Sequence, residues 1–120
     1  MAFHNDIGKK GEILAADYLA RNGYNIIVSN WRYRHKEVDI IARYEGKLVI
    51  VEVKLRSTDY FGDPSEAVTK KKQRFLIEAA EAYLDKLNEE PEVQFDVVSI
   101  VDGSGGYQIE HIADAFTPDL

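Results

Sequence analysis

Residues 37–54 read EVDIIARYEGKLVIVEVK, and this stretch decides the fold because it holds two apolar segments on either side of a short turn. Glu37–Arg43 and Leu48–Lys54 have the length and the β-branched residues of strands, and Glu45-Gly46 between them favours a turn. The two segments are therefore predicted to form an antiparallel hairpin. Because both are apolar almost throughout, helices are expected to cover both faces of the sheet. Three ionisable residues interrupt them: Asp39, Glu52 and Lys54.

Ionisable groups in buried strands need partners, because burying an unpaired charge is costly. Side chains two residues apart on a strand share a face, so Glu52 and Lys54 point to the same side. If the hairpin register places Asp39 beside Glu52, the two carboxylates can bind one hard cation, Mg²⁺ or Mn²⁺. The backbone carbonyl of Val53 can add a further oxygen. The alternative is a buried carboxylate–lysine pair that serves only structure.

A metal site of this kind would suit the hydrolysis of a phosphodiester. The metal lowers the pKa of a bound water and neutralises charge in the transition state. Lys54 would orient or deprotonate that water, or stabilise negative charge as it develops. Glu12, on the first predicted helix, would add a third carboxylate or hold the attacking water.

Helix and strand patterns continue along the rest of the chain. Helical spacing predicts a first helix from about Asn5 or Asp6 to Asn22 and a second that follows Ser65 and ends near Leu87, with Thr69 as an internal N-cap where a short turn gives way to the main segment. The other segments are a strand at 24–28, a polar connection at 29–36, a loop at 56–65, strands at 93–101 and 107–112, and a turn at 102–106. The order α-β-β-β-α-β-β predicts a single α/β domain, residues 1–120, with a central mixed sheet of about five strands flanked by helices.

Composition is that of an ordinary globular protein, with 45% hydrophobic and 30% charged residues. The chain contains no cysteine, which excludes disulfides and thiolate metal sites. The N-terminus lacks the basic and apolar regions of a secretory signal, and no apolar run approaches the roughly 18 residues of a membrane span. A cytoplasmic location without a membrane partner is therefore expected.

The net charge of −6 argues at first against a nucleic-acid partner, but the charges are unevenly distributed. Residues 1–75 carry 14 of the 15 basic and 10 of the 21 acidic residues, a balance of +4, whereas residues 76–120 carry one basic and 11 acidic residues, a balance of −10. Such asymmetry indicates a surface for a polyanion and an acidic surface elsewhere. The predicted nucleic-acid contacts lie in the basic part: Arg32, Arg34, Lys36, Arg56, Lys70, Lys71, Lys72 and Arg74.

Two clusters supply most of these predicted contacts. Residues 31–36, WRYRHK, interleave aromatic side chains with cations ahead of the Asp39 strand, as loops that contact nucleic acid often do. The alternative is a solvated loop with Trp31 folded onto the core. The lysines at 70–72, with Arg74, open the second helix, where they oppose the macrodipole at modest cost. Contact with phosphate is the predicted reason, and a solvated helix face is the alternative.

Asp39 followed by Glu52-Val53-Lys54 resembles the PD-(D/E)xK signature of the restriction-endonuclease-like superfamily. Over about residues 6–101 the chain resembles the YraN-like family of small, largely uncharacterised bacterial proteins. The residues that carry this resemblance are Gly8, Gly11-Glu12, Ala15, Tyr18-Leu19, Gly23-Tyr24, Asn30, Arg32, Glu37–Ala42, Val51–Lys54, Arg56, Glu66–Val68, Lys72 and Phe95–Val98. One departure is Val38, where the superfamily's name places proline, at a position that carries no ligand.

The YraN-like family is similar to archaeal Holliday-junction resolvases, which arrange a helix glutamate, a strand aspartate and E-x-K around Mg²⁺. The resemblance therefore implies a restriction-endonuclease-like fold and DNA, in branched or structured form, as the substrate. A homodimer would suit a two-fold symmetric junction, although no surface stripe in the sequence identifies an interface. Carried over to this chain, the catalytic roles fall on Glu12, Asp39, Glu52 and Lys54.

These features favour a Mg²⁺-dependent DNA endonuclease. One alternative is a non-catalytic nucleic-acid-binding protein with a vestigial nuclease site, and another is an interaction protein whose acidic half contacts a basic partner. Intact Asp39, Glu52 and Lys54 favour the enzyme over the vestigial site. The uneven charge distribution favours either nucleic-acid function over the interaction protein.

Overall fold

A computed structural model describes residues 3–57, 68–103 and 105–118, which form one five-stranded mixed sheet and two helices. The strands lie in the order β1-β2-β3-β4-β5, and all neighbours are antiparallel except β3 and β4, which are parallel and joined through α2. The predicted element order and mixed sheet are confirmed. The elements are α1 (Phe3–Arg21), β1 (Asn25–Tyr33), β2 (Lys36–Tyr44), β3 (Lys47–Ser57), α2 (Lys70–Leu87), β4 (Val93–Gly103) and β5 (Gly106–Phe116).

The hairpin predicted from residues 37–54 is present as β2 and β3. Its ladder begins next to the turn and ends where Ile40 faces Val51. Glu45 and Gly46 at the tip have φ angles of 49° and 80°, so both central residues of the turn are in the left-handed region. This is the backbone that two-residue hairpins require to follow the twist of their strands.

The first strand is longer than predicted. β1 continues through most of the segment predicted as a polar connection, 29–36, up to a turn at Arg34 and His35. The prediction was wrong because the polar residues at the start of that segment are typical of loops, whereas pairing with β2 carries the strand onward. Likewise β5 runs beyond the predicted 107–112 to Phe116. Most of the loop predicted at 56–65 lies outside the described residues, and its first two residues belong to β3.

Apolar clusters cover both faces of the sheet, as predicted. Along β3, Ile50 packs in the cluster that includes α2, whereas Val49 and Val51 pack in the cluster that includes α1. We call these the α2 face and the α1 face. The same alternation points Glu52 and Lys54 to the α2 face, at the end of β3 that is far from the hairpin turn.

Caps at both ends define α2. The side chain of Thr69 accepts a hydrogen bond from the backbone N–H of Lys72 at 3.1 Å, so the predicted N-cap is confirmed. Asn88, in the left-handed region with a φ of 58°, ends the helix by donating its N–H to the carbonyl of Leu84. Within the described ranges, neither helix is long and apolar enough to cross a membrane.

Candidate metal and nucleic-acid site

β2 and β3 separate at the point where the predicted site begins. Their ladder ends at the pair Ile40–Val51, so the ladder does not include the next residue of β2, Asp39. Instead its carboxylate accepts a hydrogen bond from the backbone N–H of Val53 at 2.8 Å. A side chain thus satisfies a strand N–H, and the contact fixes the Asp39 carboxylate beside Glu52.

Glu52 is almost completely buried, with 3% of its surface exposed. The Nζ atoms of Lys54 and Lys72 lie 3.3 and 3.7 Å from its two carboxylate oxygens. The contact from Lys72 is an ion pair too long for a hydrogen bond, and among the described residues no donor reaches Glu52 Oε1. A buried oxygen without a donor is costly in this state and is available as a ligand for a cation.

The electrostatics of Asp39 are those of a group crowded by like charge. Burial and the neighbouring Glu52 carboxylate raise the pKa of Asp39 to about 7. The charge of Glu12 adds to this rise, whereas the hydrogen bond from Val53 and the charge of Lys72 oppose it. A bound cation would relieve the repulsion and keep both carboxylates ionised.

Close packing of α1 on β3 brings Glu12 to this end of the sheet. Gly11 lies against Leu55, where a Cβ atom at Gly11 would meet the Leu55 side chain at 3.5 Å. The next residue, Glu12, is half-buried and close enough to raise the pKa of Asp39. Glu12 therefore acts on Asp39 through its charge, whereas its role as a third carboxylate or as the holder of the attacking water stays a prediction.

The donor set fits a magnesium-type ion with two carboxylate ligands. Asp39 and Glu52 supply carboxylate oxygens, one of which has no hydrogen-bond donor within the described residues. In the same part of the chain, no three His, Asp or Glu side chains gather as a preformed metal cluster. Because Mg²⁺ is commonly held by one or two carboxylates and keeps several waters, the pair is sufficient, and the carbonyl of Val53 is a candidate third oxygen.

Half of the predicted nucleic-acid contacts come together in one groove on the α2 side. The β1–β2 turn lies against the first half of α2, and a groove of about 320 Å³ runs between them. Lys72 does not line this groove; its Nζ atom lies 3.7 Å from Glu52 Oε1 instead. Four of the predicted cations line the groove: Arg34, Lys36, Lys71 and Arg74.

The remaining predicted contacts lie elsewhere. Arg32 is exposed between Trp31 and Tyr33, which pack on the α2 face, so it points to the other side of β1. Arg56 is half-buried on the same side of β3 as the E-x-K carboxylate, and Lys70 is exposed in the first turn of α2.

Segment 31–36, predicted as a loop, is the end of a hairpin. The Trp31 ring meets Tyr83 edge-on with centroids 5.1 Å apart, so Trp31 packs on the core. Trp31 therefore follows the alternative prediction of a residue folded onto the core, whereas Arg34 and Lys36 of the same segment line the groove.

The contact between Lys72 and Glu52 was missed by sequence reasoning. A pattern that could have revealed it is the helical spacing of Lys72 with Leu76, Ala79 and Tyr83, which places a lysine on the buried stripe of α2. A lysine on such a stripe needs a carboxylate on the sheet beneath it.

A second buried carboxylate, Asp96 on β4, was also missed. It accepts hydrogen bonds from Tyr24 at 3.0 Å, Gln94 at 2.9 Å and the backbone N–H of Asp114 at 3.0 Å, and contacts His111 Nε2 at 2.7 Å. Burial alone would raise the pKa of Asp96, but these hydrogen bonds outweigh burial and lower it. The network lies on the α1 face, away from the metal site.

The sequence contained a signal for Asp96. Like Asp39, it is a single carboxylate within an apolar strand. Most of its partners could not be foreseen because they are distant in the sequence: Tyr24 lies just before β1, and His111 and Asp114 lie on β5, whereas Gln94 is two residues away on β4 itself.

Comparison with known proteins gives the chain close relatives over its whole length. Residues 11–100 match the family described as "Uncharacterised protein family UPF0102". A UPF0102 protein of Parabacteroides distasonis is 45% identical over 116 residues, covering 97% of this chain and 96% of the relative. One of Phocaeicola vulgatus is 44% identical over 120 residues, covering 100% and 99%. The matched range contains the four predicted catalytic residues.

Proposed function

The chain belongs to the UPF0102 family of YraN-like proteins, and we propose that it is a Mg²⁺- or Mn²⁺-dependent nuclease that hydrolyses phosphodiester bonds in DNA. The observation that carries this proposal is the meeting of Asp39, Glu52 and Lys54 where β2 and β3 separate. The relatives are described by family alone, so the support comes from the site.

Asp39 and Glu52 would hold the metal, with the carbonyl of Val53 as a further oxygen. When bound, such an ion supplies an activated water and neutralises charge on the phosphate. Lys54 has its Nζ atom 3.3 Å from Glu52 and 35% of its side chain exposed, so it can turn from the carboxylate toward a substrate. In that position it orients or deprotonates the attacking water, or stabilises the developing negative charge.

Lys72 and Glu12 complete the set from two helices. Lys72 adds a second positive charge on the α2 side of Glu52, where it favours an incoming phosphate. Glu12 approaches Asp39 from α1 and would hold the attacking water on that side. Branched or structured DNA as the substrate, and a homodimer as the active form, belong to the proposal through the resemblance to junction resolvases.

A second candidate is a nucleic-acid-binding protein whose site no longer catalyses. The observation that favours it is the contact of both Lys54 and Lys72 with Glu52, because two lysines opposite two carboxylates make a charge network that is balanced without an ion. In that case the groove cations would still bind DNA, but metal would change neither binding nor stability.

Cleavage by the purified protein and by Asp39→Asn decides between these functions. With Mg²⁺ or Mn²⁺ the wild-type protein should cut at least one substrate in a panel of duplexes, forks, flaps and four-way junctions. Asn keeps the size of Asp39 and can still accept the hydrogen bond from Val53, but it removes the charge that holds the ion. Turnover should therefore be abolished while DNA affinity is retained.

The variant also controls for impurities. Cleavage by Asp39→Asn at the wild-type rate would assign the activity to a contaminating nuclease. Binding without cleavage of any substrate, under every metal condition, would favour the non-catalytic protein.

A further inference from the structure

Two basic segments that are far apart in the sequence share one groove. The β1–β2 turn brings Arg34 to α2, where its Nη1 atom lies 4.0 Å from Glu78 Oε1. Lys36 from the same turn places its Nζ atom 5.7 Å from the centroid of the Phe75 ring. The groove between the turn and the helix has a volume of about 320 Å³. That volume is at the lower end of the range of small-molecule sites, so it suits one unit of a ligand such as a nucleotide.

The groove is cationic although the protein as a whole is acidic. Arg34, Lys36, Lys71 and Arg74 contribute four positive charges, and Glu78 is the one carboxylate among the described residues of the lining. The balance is +3 with histidine neutral, against −6 for the whole chain. Such a local reversal of charge attracts a polyanion to this face and not to the rest of the surface.

Aromatic rings lie between these cations. The rings of Tyr33 and Phe75 have centroids 5.9 Å apart and are tilted by 41°. Arg34 lies over the Tyr33 ring at 5.2 Å, and Lys36 and Lys72 lie over the Phe75 ring at 5.7 and 5.3 Å. Rings flanked by cations are the arrangement that stacks unpaired bases while the charges follow the backbone. Bases inside a duplex are already stacked and would have to be extruded to reach such rings.

The groove adjoins the candidate metal site through one residue. Lys72 does not line the groove itself, but its Nζ atom lies 5.3 Å from the centroid of the Phe75 ring, which does, and 3.7 Å from Glu52 Oε1. A strand whose phosphate faces Lys54 and Lys72 would therefore continue directly into the groove.

We propose that this groove binds an unpaired strand of nucleic acid next to the scissile phosphodiester, so that the favoured substrate carries a single-stranded segment adjoining a duplex. The cleavage part of this inference rests on the proposed nuclease function. The binding part rests on the groove alone.

Binding is tested without metal, in the Asp39→Asn background, so that cleavage plays no part. Fluorescence anisotropy would follow labelled oligothymidylate of about 15 nucleotides, the upper end of common single-strand site sizes, and a duplex of matched length. The single strand should bind more tightly than the duplex. The double variant Lys36→Gln/Lys71→Gln should bind it about tenfold more weakly, and its log–log salt slope should fall by about 1.4, or about 0.7 per lost contact.

The matched control removes two lysines that do not line the groove. Lys47, beside the β2–β3 turn, and Lys86, in the last turn of α2, are replaced by Gln, which changes the net charge equally. This control should keep both the affinity and the slope. Phe75→Leu changes no charge and should weaken single-strand binding about fivefold to 100-fold if a base stacks on the ring. Circular dichroism would confirm that each variant folds.

The inference would be overturned if the groove and control variants lost equal affinity for the single strand, or if single strand and duplex bound equally tightly. Cleavage is compared on a flap substrate with Asp39 restored. If the double variant Lys36→Gln/Lys71→Gln cleaves the flap at the wild-type rate, the groove inference is overturned but the proposed nuclease function is not. Selective single-strand binding that the groove variants remove, together with no cleavage in Mg²⁺ or Mn²⁺, would support the groove and refute the nuclease.

Discussion

Asp39 and Asp96 are both carboxylates on central strands of one sheet, but their surroundings are opposite. Asp96 on the α1 face is held by three hydrogen bonds and a contact with His111, which together lower its pKa in spite of burial. Asp39 accepts one hydrogen bond, from Val53, within the described residues, and faces Glu52, so that burial and this neighbour raise its pKa to about 7. The charge of Asp96 is stabilised by its hydrogen bonds, whereas the charge of Asp39 is destabilised by burial and by the neighbouring Glu52.

This is the difference expected between a carboxylate that stabilises the fold and one that takes part in the proposed metal site. A network in which every polar group has a hydrogen-bond partner stabilises a fold. Two crowded carboxylates, one of which has an oxygen without a donor, cost stability, and such pairs are typical of sites that bind a ligand. The pH dependence should also differ in sign. The contribution of Asp96 is lost as the pH falls through its lowered folded pKa, whereas that of Asp39 is lost as the pH rises through its raised one.

The largest expected effect is on stability, in Asp96→Asn. The substitution removes the charge that Tyr24, Gln94 and His111 share and sets an amide N–H₂ among their donors. The free energy of unfolding near pH 7 should fall by about 3 kcal/mol or more. Urea denaturation followed by circular dichroism would measure it. Unchanged stability would show that the network is dispensable, and the contrast with Asp39 would fail.

The next effect is on catalysis, in Lys54→Ala. If Lys54 positions or deprotonates the attacking water, turnover should fall about 100-fold or more, while metal binding persists because Asp39 and Glu52 are intact. Lys47→Ala is the matched control, since Lys47 lies on the same strand at the opposite end. Single-turnover cleavage of the best substrate in the panel gives both rates. Equal rates for the two variants would remove Lys54 from the mechanism.

A smaller effect, opposite in sign to that of Asp96→Asn, is expected for Asp39→Asn. Between about pH 4 and about pH 7, Asp39 is ionised in the unfolded chain but stays protonated in the folded protein. The free energy of unfolding of the wild-type protein therefore declines as the pH rises through this window. The full shift corresponds to about 4 kcal/mol, of which we expect about 1–2 kcal/mol because water and nearby side chains screen part of the repulsion. Urea titrations should show Asp39→Asn more stable than wild type near pH 8 and equal to it near pH 4. A constant difference across this range would contradict the crowding of the two carboxylates.

The fold could be predicted from the sequence more completely than the candidate site. The apolar segments of residues 37–54 predicted the hairpin, the two covered faces and the common side of Glu52 and Lys54, because strand alternation is a local rule. The extent of β1 could not be predicted, since polar residues in its second half resemble a loop and only pairing with β2 makes them a strand.

Prediction of the candidate site from the sequence was limited by contacts between elements that are distant in the chain. The meeting of Asp39 with E-x-K followed from one hairpin register, but the approach of Lys72 depends on how α2 lies across the sheet. The partners of Asp96 come from β4 itself, from β5 and from Tyr24 just before β1, and local spacing connects only Gln94 to it. Local pattern therefore predicted which ionisable residues of the hairpin lie together, but could not predict which side chains from other elements contact them.

The smallest expected effect tests whether metal completes the crowded pair. At a Mg²⁺ concentration of about ten times Kd, near pH 8, the wild-type protein should gain about 1.4 kcal/mol of unfolding free energy. The gain should shrink below about pH 7, because protons compete for Asp39. It should be absent in Asp39→Asn and unchanged in Asp96→Asn, measured against that variant's own baseline. Asp85→Asn controls for loose binding at the acidic end of α2, where Glu81, Asp85 and Glu89 line a cavity. Loss of the gain in Asp85→Asn, with its retention in Asp39→Asn, would assign the ion to the end of α2 and leave the Asp39–Glu52 pair without a metal.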